Sequence, residues 1–566
     1  MPHRCQGIAN AGKIFHEYGI LNVIISPGMR NIPLIRTFVQ IPDMNCISIV
    51  DERTAGYFAI GLSLHLNKPV VLCCTSGTAL LNYTPALAEA YNQQVPIIVL
   101  SADRPPELID QLENQTINQI EVFRNMVYKS YQLPVETVQD DDVWYANRML
   151  SDAILSASYF RKPVHVNIPL REPLLEDLPD PEKDLRISRH IEISTFNPSP
   201  VPAEFIDCWK KCAKKMVLIG QMNQDESMNT AVNKLSEDPS VVVIAENISN
   251  VQGEQIITNS ERIFLNLMNI ENKRNDRFVP ELIVSCGKHI VSKHAKSFLR
   301  KNKAIQHWHI QDRFELIDTF KSLTHIIQVT PSIFFHMLSE EGIINNRSSY
   351  KKAITEMDAQ LNDIQLDYCR DIPYSDLFVF NTLFSKIPEH CNLHLGNSTP
   401  VRYSQLFPSK NTVRYFSNRG VSGIDGCLST SVGYSFLNRE LNLVILGDIS
   451  FIYDSNALWI NNFPPNLRIV VINNNGSDIF NITHAVKYLN KDASFVVTPH
   501  EINIRKIAEA FSVKFMNTTN KESLNKALDI FFKSSDKAVL LEIGTAKSNN
   551  SDILETLYLK FKNYKP

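Results

Sequence analysis

Short apolar runs without polar alternation, separated by helix-length amphipathic stretches, recur along the whole chain. In the first 180 residues they are NVIIS (22–26), CISIV (46–50), PVVLCCT (69–75), PIIVLS (96–101) and PVHVNIP (163–169), with a longer helical segment before the last. Runs that are apolar on both faces predict strands covered on both sides, as in parallel sheets flanked by helices. The theme returns as KMVLIG (215–220), SVVVIAE (240–246), ELIVSCG (281–287), AIQHWHI (304–310) and THIIQVT (324–330). A polar helical stretch over 345–372 then leads to CNLHLGN (391–397), TVRYFS (412–417), LNLVILGD (441–448), LRIVVINN (467–474) and AVLLEIGT (538–545). The pattern predicts an α/β protein of three doubly wound domains with mainly parallel sheets, spanning 1–185, 186–345 and 346–566. The first and last share a rhythm. A polar, proline-rich stretch from Glu172 to Pro202 predicts a linker.

Composition narrows the class. The 566 residues are 44% hydrophobic and 21% charged, and 57 Lys+Arg against 60 Asp+Glu leave a net charge of −3. That balance disfavours disorder and a nucleic-acid-binding surface. The apolar runs are strand-sized, far below the roughly 20 residues that span a bilayer, so no integral membrane contact is expected. Lys13, His16 and Glu17 interrupt what would be the apolar stretch of a signal peptide, and the ten cysteines include no CxxC pair. Both features fit a cytoplasmic protein without a zinc site. No two of the 19 glycines are separated by a single residue, so the dinucleotide fingerprint GxGxxG is absent.

Ligands of open α/β sheets bind beyond the carboxyl ends of strands. One predicted strand ends in Gly447-Asp448 and the next in Asn473-Asn474-Asn475-Gly476, with a helix-length segment (Tyr453 to Asn462) between. Asp448 and Asn474 should therefore emerge side by side. A carboxylate, an amide oxygen and the Gly476 carbonyl are hard oxygen ligands suited to Mg²⁺ with a diphosphate completing its shell, although each motif alone is also ordinary turn chemistry. In the first domain Asp51-Glu52-Arg53 opens a helix, and Thr75-Ser76-Gly77-Thr78 is expected to cap the next one and offer hydroxyls and N–H groups to an anion. Arg30, Arg104, Arg402 and Arg419 each follow a strand and make a plausible carboxylate-binding set. Two patterns are set aside: Gly7 to Ile14 resembles a phosphate loop but lacks its hydroxyl and its strand, and His307-Trp308-His309 reads as a polar sheet face.

The GD…NN pair, preceded by a glutamate after the second strand of an N-terminal α/β domain, resembles the thiamin-diphosphate-dependent enzymes. SPGMRNIPL, DERTAGYFAIGL, TSGTALLNYTPALAEA, SADRPPELIDQLENQTINQ, PVHVNIPLREPL, SNRGVSGIDGCLST, GDISFIYDSNAL and NNNGSDIF are similar to the menaquinone-pathway carboligases within that family. The middle domain adds only VSK (291–293).

The resemblance implies a pyrimidine-binding first domain, a central domain and a diphosphate-binding third domain. It implies decarboxylation of 2-oxoglutarate and 1,4-addition of a succinyl-semialdehyde carbanion equivalent to isochorismate. Glu52 is implied as the catalytic carboxyl at the aminopyrimidine. Thr75, Ser76, Gly77, Ser422, Ile424, Ile449 and Ser450 are implied as further cofactor contacts. Asp448, Asn474 and Gly476 are implied to hold Mg²⁺, with Mn²⁺ an alternative. Arg30, Arg104, Asn114, Gln115, Lys293, Ser398, Arg402 and Arg419, with Ile479 and Phe480 as a wall, are implied to bind the two dicarboxylates. A homodimer or homotetramer with active sites between subunits is implied as well. Two departures stand out. Ile449 replaces the third residue of the usual GDG, and Met29 stands where the family carries a serine, which removes one expected substrate hydrogen bond. A thiamin-diphosphate decarboxylase or acetohydroxyacid-type synthase acting on a smaller 2-oxo acid remains the alternative within the family, and a non-catalytic nucleotide-binding subunit the alternative outside it.

Overall fold

A computed structural model describes residues 3–191, 201–270, 276–476, 479–482, 490–545 and 548–565. Among these, eighteen strands form three six-stranded sheets in which every pairing is parallel. The first holds β1 (Asn22–Ile25), β2 (Asn45–Ser48), β3 (Val70–Cys74), β4 (Ile97–Asp103), β5 (Ser130–Gln132) and β6 (Val164–Pro169), in the order 2-1-3-4-6-5. The second holds β7 (Lys215–Ile219), β8 (Val241–Ala245), β9 (Ile256–Ile257), β10 (Leu282–Cys286), β11 (Gln306–Gln311) and β12 (His325–Gln328), in the order 12-11-10-7-8-9. The third holds β13 (Cys391–Leu395), β14 (Arg414–Phe416), β15 (Leu441–Gly447), β16 (Leu467–Asn473), β17 (Lys514–Thr518) and β18 (Val539–Gly544), in the order 14-13-15-16-18-17. Counted from its own first strand, the third sheet repeats the order of the first. The middle sheet is wound 3-2-1-4-5-6, the order of dinucleotide-binding folds.

The central strands β3, β4, β7, β8, β10 and β13 are buried along their whole length, as unalternated apolar runs require. Three strands escape the apolar pattern: β5, β9 and β17. Each is an edge strand, and β9 has two residues while β17 has four of five positions intermediate or exposed before its buried Thr518. The predicted segment Tyr453 to Asn462 is not one helix. The helix starts earlier, at Asp448, runs to Tyr453, and is followed by a 3-10 turn at Ser455–Leu458.

Helix Glu52–Leu66 of the first layer crosses helix Cys427–Leu437 of the third. A Cβ on Gly61 would run into the Thr430 carbonyl, and one on Gly433 into the Phe58 carbonyl, so the backbones touch. One apolar core is continuous between the first and third sheets, and another between the second and third. Residues 172–191 carry neither helix nor strand and lie back over the first layer. Lys13 Nζ donates to the Glu182 and Lys183 carbonyls (2.7 and 2.9 Å), and Arg36 Nη1 to those of Leu175 and Glu176 (3.1 and 2.8 Å). Residues 192–200 of the predicted linker lie outside the described residues.

Residues 7–14 fall inside helix Gln6–Glu17, and His307 and His309 both share hydrogen bonds with Ser285 (2.8 and 2.9 Å), as a polar sheet face. All ten cysteines are free thiols. Among the described residues no helix is long and apolar enough to cross a membrane.

Candidate active site

Because β15 and β16 pair directly, with Gly447 opposite Ile472, Asp448 and Asn474 leave the third sheet as neighbours. Asp448 is 1% exposed. Its Oδ1 accepts the Ile449 N–H (2.7 Å), and its Oδ2 accepts the Gly476 N–H (2.9 Å) and lies 3.2 Å from His500 Nε2. Burial pushes its carboxyl above the ordinary range, against the pull of these partners. Asn474 donates through Nδ2 to Asp376 Oδ2 (3.0 Å), and Asp376 also accepts the Thr545 hydroxyl (2.6 Å). The other end of the amide, Oδ1, is buried with no partner. Gly476 sits at φ 133°, which side chains avoid. One buried carboxylate, one orphaned amide oxygen and a turn carbonyl are a donor set that fits Mg²⁺ or Mn²⁺ sharing a diphosphate. Ser450 donates to the Ile424 carbonyl (2.8 Å), tying the Asp448 helix to the loop of Ser422 and Ile424.

At the first sheet Asp51 caps its helix by accepting the Thr54 N–H (3.1 Å), which sets Glu52 in the first turn. Glu52 is half-buried. Burial raises its pKa, the Asp51 charge adds to the rise, and the helix backbone opposes it. Its neighbours are fastened to the third layer: Asn456 Nδ2 donates to Asp51 Oδ2 (2.6 Å), and Arg53 Nη2 donates to the Tyr453 carbonyl (2.7 Å). Thr75, Ser76 and Gly77 follow β3 but do not cap with their side chains. Gly77 itself is the cap residue, at φ 82°, and Ser76 Oγ donates instead to the Gln115 carbonyl (2.8 Å) while the Gly77 N–H donates to Gln119 Oε1 (2.9 Å).

Arg30 and Arg104 converge. Arg30 Nη2 lies 3.1 Å and Arg104 Nη1 3.8 Å from Glu172 Oε1, and Arg104 Nη2 donates to the Asn114 carbonyl (2.7 Å). Burial, then the charge of Arg104, lowers the Arg30 pKa. A carboxylate therefore already sits between these two cations. Asn114 and Gln115 themselves are exposed, with Gln115 at φ 53°.

The second cation group is built from two layers. Arg402 donates to the Ser398 carbonyl (2.5 Å) and Arg419 to Asn397 Oδ1 (2.7 Å). Burial lowers the Arg419 pKa, Arg402 lowers it further, and Glu246 and Glu89 oppose both. From the middle layer, exposed Lys293 starts the helix Lys293–Lys301, capped by Ser292 Oγ on the Ala295 N–H (3.0 Å). Lys296, three residues on, is depressed by burial and then feels Glu246, Arg419, Arg300 and Lys293. Sequence reasoning missed Lys296, whose signal was its place one turn after Lys293. Ile479 and Phe480 open the helix Ile479–Ile482, half-buried, beside helix Asn550–Asn563.

Residues 13–122 match the family description "Thiamine pyrophosphate enzyme, N-terminal TPP binding domain", and residues 396–543 match "Thiamine pyrophosphate enzyme, C-terminal TPP binding domain". The chain is 36% identical over 556 residues (97% of it, 98% of the relative) to the 2-succinyl-5-enolpyruvyl-6-hydroxy-3-cyclohexene-1-carboxylate synthase of Bacteroides fragilis. Synthases of the same name from Flavobacterium psychrophilum (36% over 548 residues, 96% of both chains) and Porphyromonas gingivalis (34% over 567 residues, 98% and 96%) are similar along equal lengths. The chain belongs to this synthase family. It is a thiamin-diphosphate enzyme, and the two matched segments are those that carry the strand-end clusters just described.

Four of the sequence-predicted residues hold buried polar atoms without a partner: Thr75 Oγ1, Arg104 Nε, Arg419 Nε and Asn474 Oδ1. Buried polar atoms are ordinarily paired, and such exceptions call for a ligand or water. Gln115, Ser398 and Ser422 are held at positive φ (53°, 71° and 68°), a region these residue types seldom enter. Strain of this kind collects where the surrounding structure must aim a side chain.

Proposed function

We propose that this synthase decarboxylates 2-oxoglutarate and adds the remaining four-carbon acyl unit to isochorismate by 1,4-addition, releasing CO₂ and 2-succinyl-5-enolpyruvyl-6-hydroxy-3-cyclohexene-1-carboxylate in menaquinone biosynthesis. The observation that carries the reading is the pairing of a preset oxygen-ligand cluster at Asp448 and Asn474 with two separate cation groups for dicarboxylates. A smaller 2-oxo acid needs no such second group.

Thiamin diphosphate, when bound, supplies the electron sink that lets a 2-oxo acid lose CO₂ and then act as a nucleophile. The residues divide the remaining work. Asp448, Asn474 Oδ1 and the Gly476 carbonyl hold Mg²⁺, and through it the diphosphate. Glu52 holds a proton at the aminopyrimidine nitrogen, a task favoured by a carboxyl whose pKa burial has raised. Thr75, Ser76, Gly77, Ser422, Ile424, Ile449 and Ser450 orient the cofactor. Arg30 and Arg104 with Asn114 and Gln115, and Arg402, Arg419 and Lys293 with Ser398, engage substrate carboxylates, for which the guanidinium fork is suited. Ile479 and Phe480 wall the second substrate.

The domains divide at 1–185, 186–345 and 346–566. The site is completed in a homodimer or homotetramer, Glu52 of one chain serving the diphosphate group of another. A cytoplasmic location suits ten free thiols.

The test is product formation from 2-oxoglutarate and isochorismate with thiamin diphosphate and Mg²⁺. Arg402→Ala or Arg419→Ala should raise KM about tenfold or more, the loss expected for a hydrogen bond to a charged group, while cofactor affinity stays unchanged. No CO₂ from 2-oxoglutarate with the unaltered enzyme would sink the reading.

A further inference from the structure

Glu89 lies on helix Thr84–Gln93 of the first layer, 1% exposed, and its carboxylate ends in the third layer. Oε1 accepts the Gly420 N–H (2.6 Å), and Oε2 accepts those of Val421 (2.7 Å) and Ser422 (3.3 Å). Consecutive amides turned to one side form an anion-binding concavity, and here the anion is a side chain of the same chain. The loop so gathered begins with Arg419 and continues through Ser422, at φ 68°, to Ile424. Its approach to the helix is close. A Cβ on Gly420 would run into the Glu89 carbonyl oxygen.

A buried carboxylate is costly unless hydrogen bonds and charge compensate it. Glu89 has both in part: burial raises its pKa, while the three N–H groups and the Arg419 charge pull it back down. Packing alone would be served as well by a neutral side chain of the same size. We propose that Glu89 is a positioning residue for the reaction: by gathering three amides it sets the loop that aims Arg419 at a substrate carboxylate and presents Ser422 and Ile424 to the cofactor. The inference rests on the proposed function for what the loop binds, but not for the clamp itself.

Glu89→Gln keeps the volume and turns an NH₂ toward an amide N–H. Hydrogen exchange of the peptide spanning 419–425 should accelerate about tenfold or more, the loss expected for a hydrogen bond to a charged group, with exchange elsewhere unchanged. KM for one of the two dicarboxylate substrates, 2-oxoglutarate or isochorismate, should rise by more than kcat falls. Gly420→Ala, which pushes the loop off the same helix, should reproduce both effects and decides the matter should Glu89→Gln fail to fold. Unchanged loop exchange in a folded variant overturns the proposal, and so does faster exchange with KM unaltered for both substrates. An unaltered enzyme that releases no CO₂ overturns the proposed reaction instead, while the exchange experiment still decides the clamp.

Discussion

An asparagine can turn either end of its amide toward a metal, and only the oxygen ligates. Asp376 fixes the choice for Asn474 by accepting its N–H₂. Asp376→Asn removes that preference, so Mg²⁺ affinity should fall about tenfold or more, as losses of such supporting groups do. Calorimetric titration of Mg²⁺ with thiamin diphosphate present reads this, and unchanged affinity would contradict the role. Asp454 offers a test by pH. Its carboxyl is fully buried and pushed up to about 7, with burial the main cause, Ser429 and Arg53 opposing, and Asp425 adding to the rise. A folded pKa above the ordinary 3.8 means the folded chain holds this proton more tightly, so the stability it contributes is present below that value and lost as pH rises to about 7. Between about pH 4 and 7 the melting temperature of Asp454→Asn should therefore decline less than that of the unaltered chain, and equal slopes would contradict burial as the cause. Asp448 and Asn474 were legible because strand ends and residue type coincide. Asp376 was not, because it stands 98 residues away and reads as an ordinary acid in a first helical turn. Nor was Glu89, whose amphipathic helix says nothing of a partner loop 331 residues on.

The Gly61 and Gly433 crossing is the element-scale joint between the outer layers. Gly61→Ala should lower stability by about 1–3 kcal/mol through overpacking against the Thr430 carbonyl. Gly447, which meets nothing within 4 Å, is the control, and Gly447→Ala should melt with the unaltered chain. Equal melting of both variants would show that the crossing has room. Most strands were readable from apolar runs, the edge strands β2, β12 and β14 among them, whereas β5 and β9 have only three and two residues and β17 (KFMNT) only two apolar positions, so they carry too little of that signal. The same limit misplaced the helix after β15. Apolar spacing sees the packed face, whereas the start at Asp448 is set by the strand end itself.

At the scale of the molecule, the first and third sheets share one strand order and carry their predicted site residues at the same kind of strand end. A near-neutral chain conceals two local cation groups, one of which draws on the middle layer. In the proposed assembly Glu52 of one chain serves the Asp448 and Asn474 cluster of another, while Asp51 and Arg53 on either side of it are held to Asn456 and Tyr453 of their own chain. Mixed assemblies of Glu52→Gln and Asp448→Asn chains test this arrangement directly. Each variant alone should release little CO₂ from 2-oxoglutarate, since loss of acid–base catalysis costs about 10²–10⁴-fold. A mixed pair holds one site with both native groups, so activity should return on mixing. No recovery in verified mixed assemblies would place Glu52 and Asp448 in the same chain's site and contradict the account.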